Sequence, residues 1–292
     1  RGVKQSLLKF IEQERAMSTT TANDLYPEVQ AFLEGGPLRG VVGGKEIEST
    51  GGETFVTSDP GSGKQLAEVF NFQAADVDMA VDVADAAFRK TGWAKLPQNE
   101  RSALLHRLAD AVEQQKHVIA QLESLDAGKI EAQAQGDVQN FVDTIRYFAD
   151  LAQHVQRRSV LAVKNHEAWT VRQPYGACGF IFPWNFPFLL IGWGIAPALA
   201  AGNTVVIKPA EDTPMSAIYL ARLAKEVGIP DGVINVVPGD GAVAGAALSG
   251  NPKLKRMSFT GSPEVGRMVA EACGRNLVPV KLELGGKGAA VV

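Results

Sequence analysis

From Cys178 onward, short apolar runs alternate with longer segments of helical periodicity, and this alternation constrains the fold more than any other feature of the chain. The runs cover residues 179–182, 204–207, 234–237, 257–259 and 280–284. Each has the length of a strand, and each gap is long enough for a crossover helix. Such a pattern predicts a parallel sheet with helices on both faces. Ligands of such sheets bind beyond the carboxyl ends of the strands. The residues that follow each run are therefore the candidate site.

The first half reads differently. A helix is expected near residues 25–33, followed by short strands and turns. Val41-Val42-Gly43-Gly44-Lys45 and the stretch from Thr57 to Gly63 carry turn chemistry. Gly61-Ser62-Gly63-Lys64 lacks the first glycine of a phosphate loop and the Ser or Thr after its lysine, so it reads as a turn between strands. Three helical segments follow. The first, 74–89, has Val77, Ala80, Val81, Ala84 and Phe88 at helical spacing. The second opens at Pro97 and aligns Leu104, Leu105, Leu108 and Val112 on one face. The third, 130–151, turns Phe141, Ile145 and Phe148 inward. Residues 157–173 then alternate like a pair of strands and interrupt the helices, as a projecting arm would.

Composition excludes some partners. A net charge of −3 gives no electrostatic reason to expect nucleic acid or an anionic membrane. No apolar run reaches the roughly 18 to 20 residues of a membrane span. The longest candidate, 186–201, is interrupted by Pro187 and Pro197. Charges inside Leu7-Leu8-Lys9-Phe10-Ile11-Glu12 argue against a signal peptide. The two cysteines, Cys178 and Cys273, make neither a disulfide framework nor a metal cluster, and a cytoplasmic location is expected. The chain opens on Arg1, and Met17 with Ser18-Thr19-Thr20-Thr21 resembles a natural start. Residues 1–22 are expected to be a tail, disordered or non-native before Met17.

Beyond the first strand, Phe182-Pro183-Trp184-Asn185-Phe186-Pro187 sets an asparagine amide between two prolines. It suits an oxyanion donor, or a turn that satisfies only its own backbone. Lys208-Pro209-Ala210-Glu211 after the second strand offers a carboxylate to sugar hydroxyls and disfavours a 2′-phosphate; a surface ion pair is the plainer alternative. The glycines Gly239, Gly241 and Gly245 after the third strand miss the dinucleotide fingerprint by one residue. In Phe259-Thr260-Gly261-Ser262-Pro263-Glu264-Val265-Gly266, Ser262 and Pro263 start a helix whose amides could face an anion. After the fifth strand, alternation sets Lys281 and Glu283 opposite Leu282 and Leu284. A glutamate desolvated there would serve as a general base, and an exposed ion pair would not.

Taken in order, these motifs resemble the aldehyde dehydrogenase superfamily from Val41 to Val292, nearest its NAD-preferring general and betaine-aldehyde branch. The resemblance rests on Gly92-Trp93, Leu122-Glu123-Ser124-Leu125-Asp126-Ala127-Gly128-Lys129, Pro183-Trp184-Asn185-Phe186-Pro187, Ala196-Pro197-Ala198-Leu199-Ala200-Ala201-Gly202-Asn203, Lys208-Pro209-Ala210-Glu211, Phe259-Thr260-Gly261-Ser262 and Glu283-Leu284-Gly285-Gly286-Lys287. It implies a Rossmann-like NAD-binding domain over 23–156 and 174–292, with 157–173 as an oligomerisation arm of a homo-oligomer. It implies oxidation of an aldehyde to an acid through a cysteine thioester, with Asn185 as oxyanion donor and Glu283 as the base that activates water. Lys208 and Glu211 would hold the adenine ribose, and Glu211 favours NAD over NADP. Gly261, Ser262 and their helix would face the pyrophosphate. Phe182, Pro183, Trp184, Gly241, Phe259, Val265, Gly266 and Leu284 complete the expected cofactor-binding set.

One departure is large. The family's nucleophilic cysteine lies a few tens of residues beyond the Glu-Leu-Gly-Gly-Lys motif, in a catalytic domain, and the sequence stops at Val292. Neither Cys178 nor Cys273 matches the nucleophile motif. The chain is therefore expected to be a C-terminally truncated cofactor domain, inactive alone. A stand-alone nucleotide-binding or interaction module and one half of a split enzyme are the alternatives.

Overall fold

The computed structural model describes residues 25–289 and 291, so the tail expected over 1–22 lies outside the described residues. The elements begin with α1 (Pro27–Glu34), β1 (Gly40–Val42), β2 (Lys45–Ile47), β3 (Thr54–Ser58) and β4 (Gln65–Phe70). The helices α2 (Ala74–Lys90), α3 (Gln98–Gln114), α4 (Lys116–Ala127) and α5 (Glu131–His154) follow. A hairpin of β5 (Arg158–Val163) and β6 (His166–Val171) leads to the alternating half. That half comprises β7 (Ala177–Ile181), α6 (Pro187–Ala200), β8 (Thr204–Lys208), α7 (Met215–Glu226), β9 (Ile234–Val236), α8 (Ala246–Gly250), β10 (Arg256–Gly261), α9 (Pro263–Arg275) and β11 (Val280–Leu284).

The sheet runs β11-β10-β7-β8-β9-β1-β2. From β11 to β9 all pairs are parallel, as the alternation predicts. The chain order reverses direction between β10 and β7, which makes their carboxyl ends a crevice of the kind that receives ligands. Two strands from the first half extend this sheet: β1 pairs antiparallel with β9, and β2 with β1. Sequence periodicity does not reveal that pairing. Gly43 and Gly44, at φ 61° and 70°, make the two-residue turn between β1 and β2. Gly61 to Lys64 lies in the turn between the paired strands β3 and β4, not in a phosphate loop.

Every residue of β8 and β9 is buried, so these strands read as largely apolar runs. Alternate side chains feed two cores. Cys178, Phe180, Val205, Ile207, Ile234 and Val236 pack with α3 to α7, while Ala177, Val206, Met257 and Phe259 pack with α2, α8 and α9.

One helix was not expected. Only Gln115 separates α3 from α4, so two helices share what reads as one pattern fading after Val112. Val118, Ile119 and Leu122 supply the apolar face of α4, and Gly128 ends it at φ +68°.

α4 also delivers two buried carboxylates to the starts of other helices. Asp126 Oδ2 accepts from Met215 N at 3.0 Å, at the start of α7, and Oδ1 takes a hydrogen bond from Thr57 Oγ1 at 2.6 Å. Burial lifts the Asp126 pKa to about 8, against the lowering effect of the Thr57 and Met215 hydrogen bonds. Because the folded value is raised, the linked stability is complete below 3.8 and is lost as pH climbs through about 8. A neutral acid also fits here, since Thr57 Oγ1 lies 3.2 Å from the Asp212 carbonyl and can donate there while accepting from Asp126. Asp126→Asn is thus expected to cost under about 1 kcal/mol near neutrality, whereas Asp126→Ala costs about 1–3 kcal/mol by orphaning buried donors. Urea unfolding at several pH values checks both, with Asn gaining on the native residue as pH rises.

Candidate cofactor and catalytic site

The residues beyond the carboxyl ends of β7, β8 and β9 meet, and those after β10 start from the same edge of the sheet. Lys208 is the last residue of β8 and is 2% exposed. Its Nζ donates to Glu211 Oε2 at 2.7 Å, its one ion pair among the described residues. The Lys208 carbonyl accepts from Phe182 N at 3.2 Å, which ties the loop after β7 to the end of β8. A side chain on Gly241 would begin 3.6 Å from Glu211 Oε1 and 3.9 Å from Lys208 Nζ. Those are ordinary contact distances, so glycine there leaves space beside the carboxylate. A carboxylate beside a buried ammonium can accept from two adjacent hydroxyls, the donor set of a ribose.

Burial raises the Glu211 pKa, but the Lys208 hydrogen bond and charge, with backbone donors at Glu211 and Gly241, outweigh it and leave the group below 4.5. The sign follows: the pair's stabilisation is present above the ordinary glutamate value and is lost as pH falls through the lower folded value. Carboxyl carbon NMR is expected to show a Glu211 midpoint below 4.5, moving upward in Lys208→Met.

Gly239 to Gly245, which is not a dinucleotide fingerprint, forms a single π-helical turn from Gly241 to Gly245, with Asp240 Oδ1 accepting from Ala242 N at 2.7 Å. Ser262 caps α9, its Oγ accepting from Val265 N at 3.2 Å, while its carbonyl takes Gly266 N. Those bonds engage two amides of the first turn, and Pro263 has none to offer. An anion is left with the Glu264 amide and the Ser262 hydroxyl, fewer donors than the motif implies. A Cβ on Gly266 would sit 2.6 Å from Leu284 Cδ2, so glycine there lets α9 pack against the end of β11. Val265 and Leu284 remain partly exposed at that junction.

Two expected contacts lie deeper than a ligand could reach. Phe182 and Phe259 are each 4% exposed, with their rings in the core. Phe182 stacks on Phe180, and the Phe259 ring lies directly under Gly261. Their backbones, not their rings, face the crevice.

Trp184, Asn185 and Phe186 are exposed beyond Pro183, which is half-buried. The Asn185 amide has no hydrogen-bond partner among the described residues, so it does not merely satisfy nearby backbone. Positioning comes from the motif on α4, to which sequence reasoning gave no role. Glu123 Oε2 accepts from Phe188 N at 3.3 Å and lies 3.5 Å from Lys129 Nζ. Lys129 Nζ sits 4.8 Å from the Phe186 ring centroid. The spacing of Glu123 and Lys129 beside a helix-ending glycine is the only sequence signal for this.

Glu283 lies on the edge strand β11, paired in register with Thr260. The desolvated cleft expected around it is not formed by the described residues. Its side chain is 59% exposed, and Oε1 lies 3.1 Å from Lys281 Nζ. The thiols point elsewhere: burial pushes Cys178 up to about 12 despite Arg256, and burial raises Cys273 as well.

The Aldehyde dehydrogenase family profile matches residues 47–292. Retinaldehyde dehydrogenase 3 of Mus musculus is 47% identical over 248 residues, 84% of this chain and 48% of its own length. The NAD+ complex of aldehyde dehydrogenase from Bacillus cereus superposes with a TM-score of 0.87 at 38% identity, over 90% of this chain and 54% of that one. A betaine aldehyde dehydrogenase from Staphylococcus aureus, solved with NAD+, gives 0.84 at 31% identity, over 88% and 52%. The chain spans about half the length of the curated relatives it matches. On sequence and on fold, the chain belongs to the aldehyde dehydrogenase family.

Proposed function

We propose that this chain is the cofactor-binding half of an NAD-dependent aldehyde dehydrogenase that converts an aldehyde and water to a carboxylic acid. The observation that carries the reading is the buried Lys208 paired with Glu211 beneath Gly241, at the carboxyl end of β8. Its carboxylate acceptor beside an ammonium fits a ribose diol, and relatives solved with NAD+ share the fold. The bound dinucleotide would supply a hydride acceptor. Glu211 would accept from the ribose hydroxyls and disfavour a 2′-phosphate, while Ser262 and the start of α9 would meet the pyrophosphate.

In this reading Asn185 donates to the oxyanion of the substrate adduct, from a loop held by Glu123 and Lys129. Glu283 is the base for thioester hydrolysis, and the rest of the enzyme would close over it to exclude water. The nucleophile must be a thiolate, and both cysteines of this sequence are buried thiols with raised pKa values. Another segment or chain therefore supplies it. The 157–173 arm, with Val160 83% exposed, is the surface we assign to assembly of the whole protein.

The test is direct. The purified 292-residue chain, given NAD and an aldehyde, is expected to form no NADH, by absorbance, above a no-protein control. Sustained NADH formation would show that a thiol in these 292 residues acts as the nucleophile and would overturn the reading.

A further inference from the structure

The opposite end of the sheet holds a second concavity. A cavity of about 530 Å³ opens where the arm joins the body, between the starts of α3 and β7 and the ends of α5 and α6. Its size is that of a small-ligand pocket. Tyr175 and Pro174 line it just before β7, so it lies at the amino ends of the parallel strands. The candidate cofactor site lies at their carboxyl ends, one strand length away.

The lining has two parts. Phe148, Leu151, Ala152, Val155 and Pro197 form an apolar wall. Three arginines, Arg101, Arg157 and Arg172, also line the cavity. None of them meets a carboxylate among the described residues. Arg101 is 2% exposed and donates only to the carbonyls of Ala200, Trp93 and Leu96. Arg157 donates to the Ala94 carbonyl, and Arg172 to the Gln156 carbonyl and the Ser159 hydroxyl. A fourth cation, Arg256, lies over the ring of Tyr175, which also lines the cavity. Burial and then the charge of Arg157 lower the Arg101 pKa, in keeping with cations gathered without a counter-charge. Arg101 is the buried one of the three and is met by backbone carbonyls, whereas Arg157 and Arg172 stay exposed. None has a counter-charge among the described residues, so positive charge gathers beside an apolar wall, a combination that favours an anion with a hydrocarbon chain.

We propose that this cavity binds a small amphipathic carboxylate, with its head group on the arginines and its hydrocarbon chain on the wall from Phe148 to Val155. Guanidinium groups recognise a carboxylate through paired, charge-assisted hydrogen bonds, and an alcohol of equal chain length lacks that term. The site is independent of the cofactor reading, since it shares no residue with it.

Octanoate is the probe, titrated into the 292-residue chain by calorimetry and by ligand-observed NMR. Octanoate is expected to bind at millimolar or lower concentration, with octan-1-ol and acetate each at least about tenfold weaker. Arg157→Gln with Arg172→Gln is expected to weaken octanoate at least about tenfold without moving the melting temperature, because both side chains are exposed. Leu151→Glu, also at an exposed position, puts a carboxylate in the cavity and is expected to abolish binding. Lys208→Met should leave octanoate binding unchanged. Equal binding of octan-1-ol, an unaffected arginine double variant, or loss of binding in Lys208→Met would each overturn the proposal. So would the absence of binding to the native chain.

Discussion

Glu123→Ala is expected to destabilise the folded chain by about 3–5 kcal/mol, the range for removing one partner of a buried ion pair. Glu123 is 1% exposed and has three partners, on α7, on α6 and in the loop after α4. Oε1 takes Ser216 Oγ on α7 at 2.5 Å, and Oε2 takes Phe188 N on α6 at 3.3 Å and faces Lys129 Nζ at 3.5 Å. Alanine would leave Ser216 and Phe188 as buried, unsatisfied donors. Lys129 would keep Asp137 at 2.8 Å, which moderates the loss. Burial pushes the Glu123 pKa up, against the opposing effects of Lys129, Ser216 and Phe188. Glu123→Gln, which keeps an acceptor, is therefore expected to cost less than alanine. Urea unfolding reads this as a lower midpoint at unchanged slope. A Glu123→Ala midpoint within error of the native chain would show that the pair does not hold α4, α6 and α7 together.

Glu211→Ala is expected to weaken NAD binding by about tenfold to a hundredfold, about the value of one charged hydrogen bond, because at this half-exposed position water replaces part of what the two hydroxyls lose. The substitution also leaves the buried Lys208 ammonium without its carboxylate, so stability should fall as well, and NAD binding is read well below the melting temperature of the variant. Lys208→Met should weaken binding too, since it releases the geometry of Glu211 while filling the same buried channel. The two residues touch, so their effects should not add, and a double-mutant cycle should show the coupling.

Much of this was legible in the sequence, for a physical reason. Strands buried on both faces are largely apolar, and Val205-Val206-Ile207 announces itself that way, while the buried Asn235 in the next strand is tolerated because it is hydrogen-bonded to Gly43 N and to the Val205 and Gly232 carbonyls. Once the parallel sheet is known, its ligand-binding end is known, and Lys208, Glu211, Gly241 and Ser262 fall there. What stayed hidden depends on distant pairing. Nothing local in Gly40–Val42 says that it completes the sheet beside β9. Nothing in the α4 motif says that Glu123 and Asp126 reach the starts of α6 and α7, because those partners lie far along the chain. Phe182 lies just past β7 and Phe259 inside β10, near the strand ends expected for them, but ring orientation depends on Gly194 and Gly261, which leave room for the rings beneath them. Glu283 shows the converse: its position on β11 was legible, whereas a desolvated environment needs groups that the described residues do not place around it.

The central claim is that the Lys208–Glu211 pair makes the end of β8 a ribose site of an NAD-selective cofactor domain. Calorimetric titration of the 292-residue chain with NAD and with NADP, repeated on Glu211→Ala, tests it most directly. The account predicts single-site NAD binding, NADP at least about tenfold weaker, and a ratio that narrows in the variant. Equal affinity for the two dinucleotides, binding indifferent to Glu211, or no binding of either would contradict it.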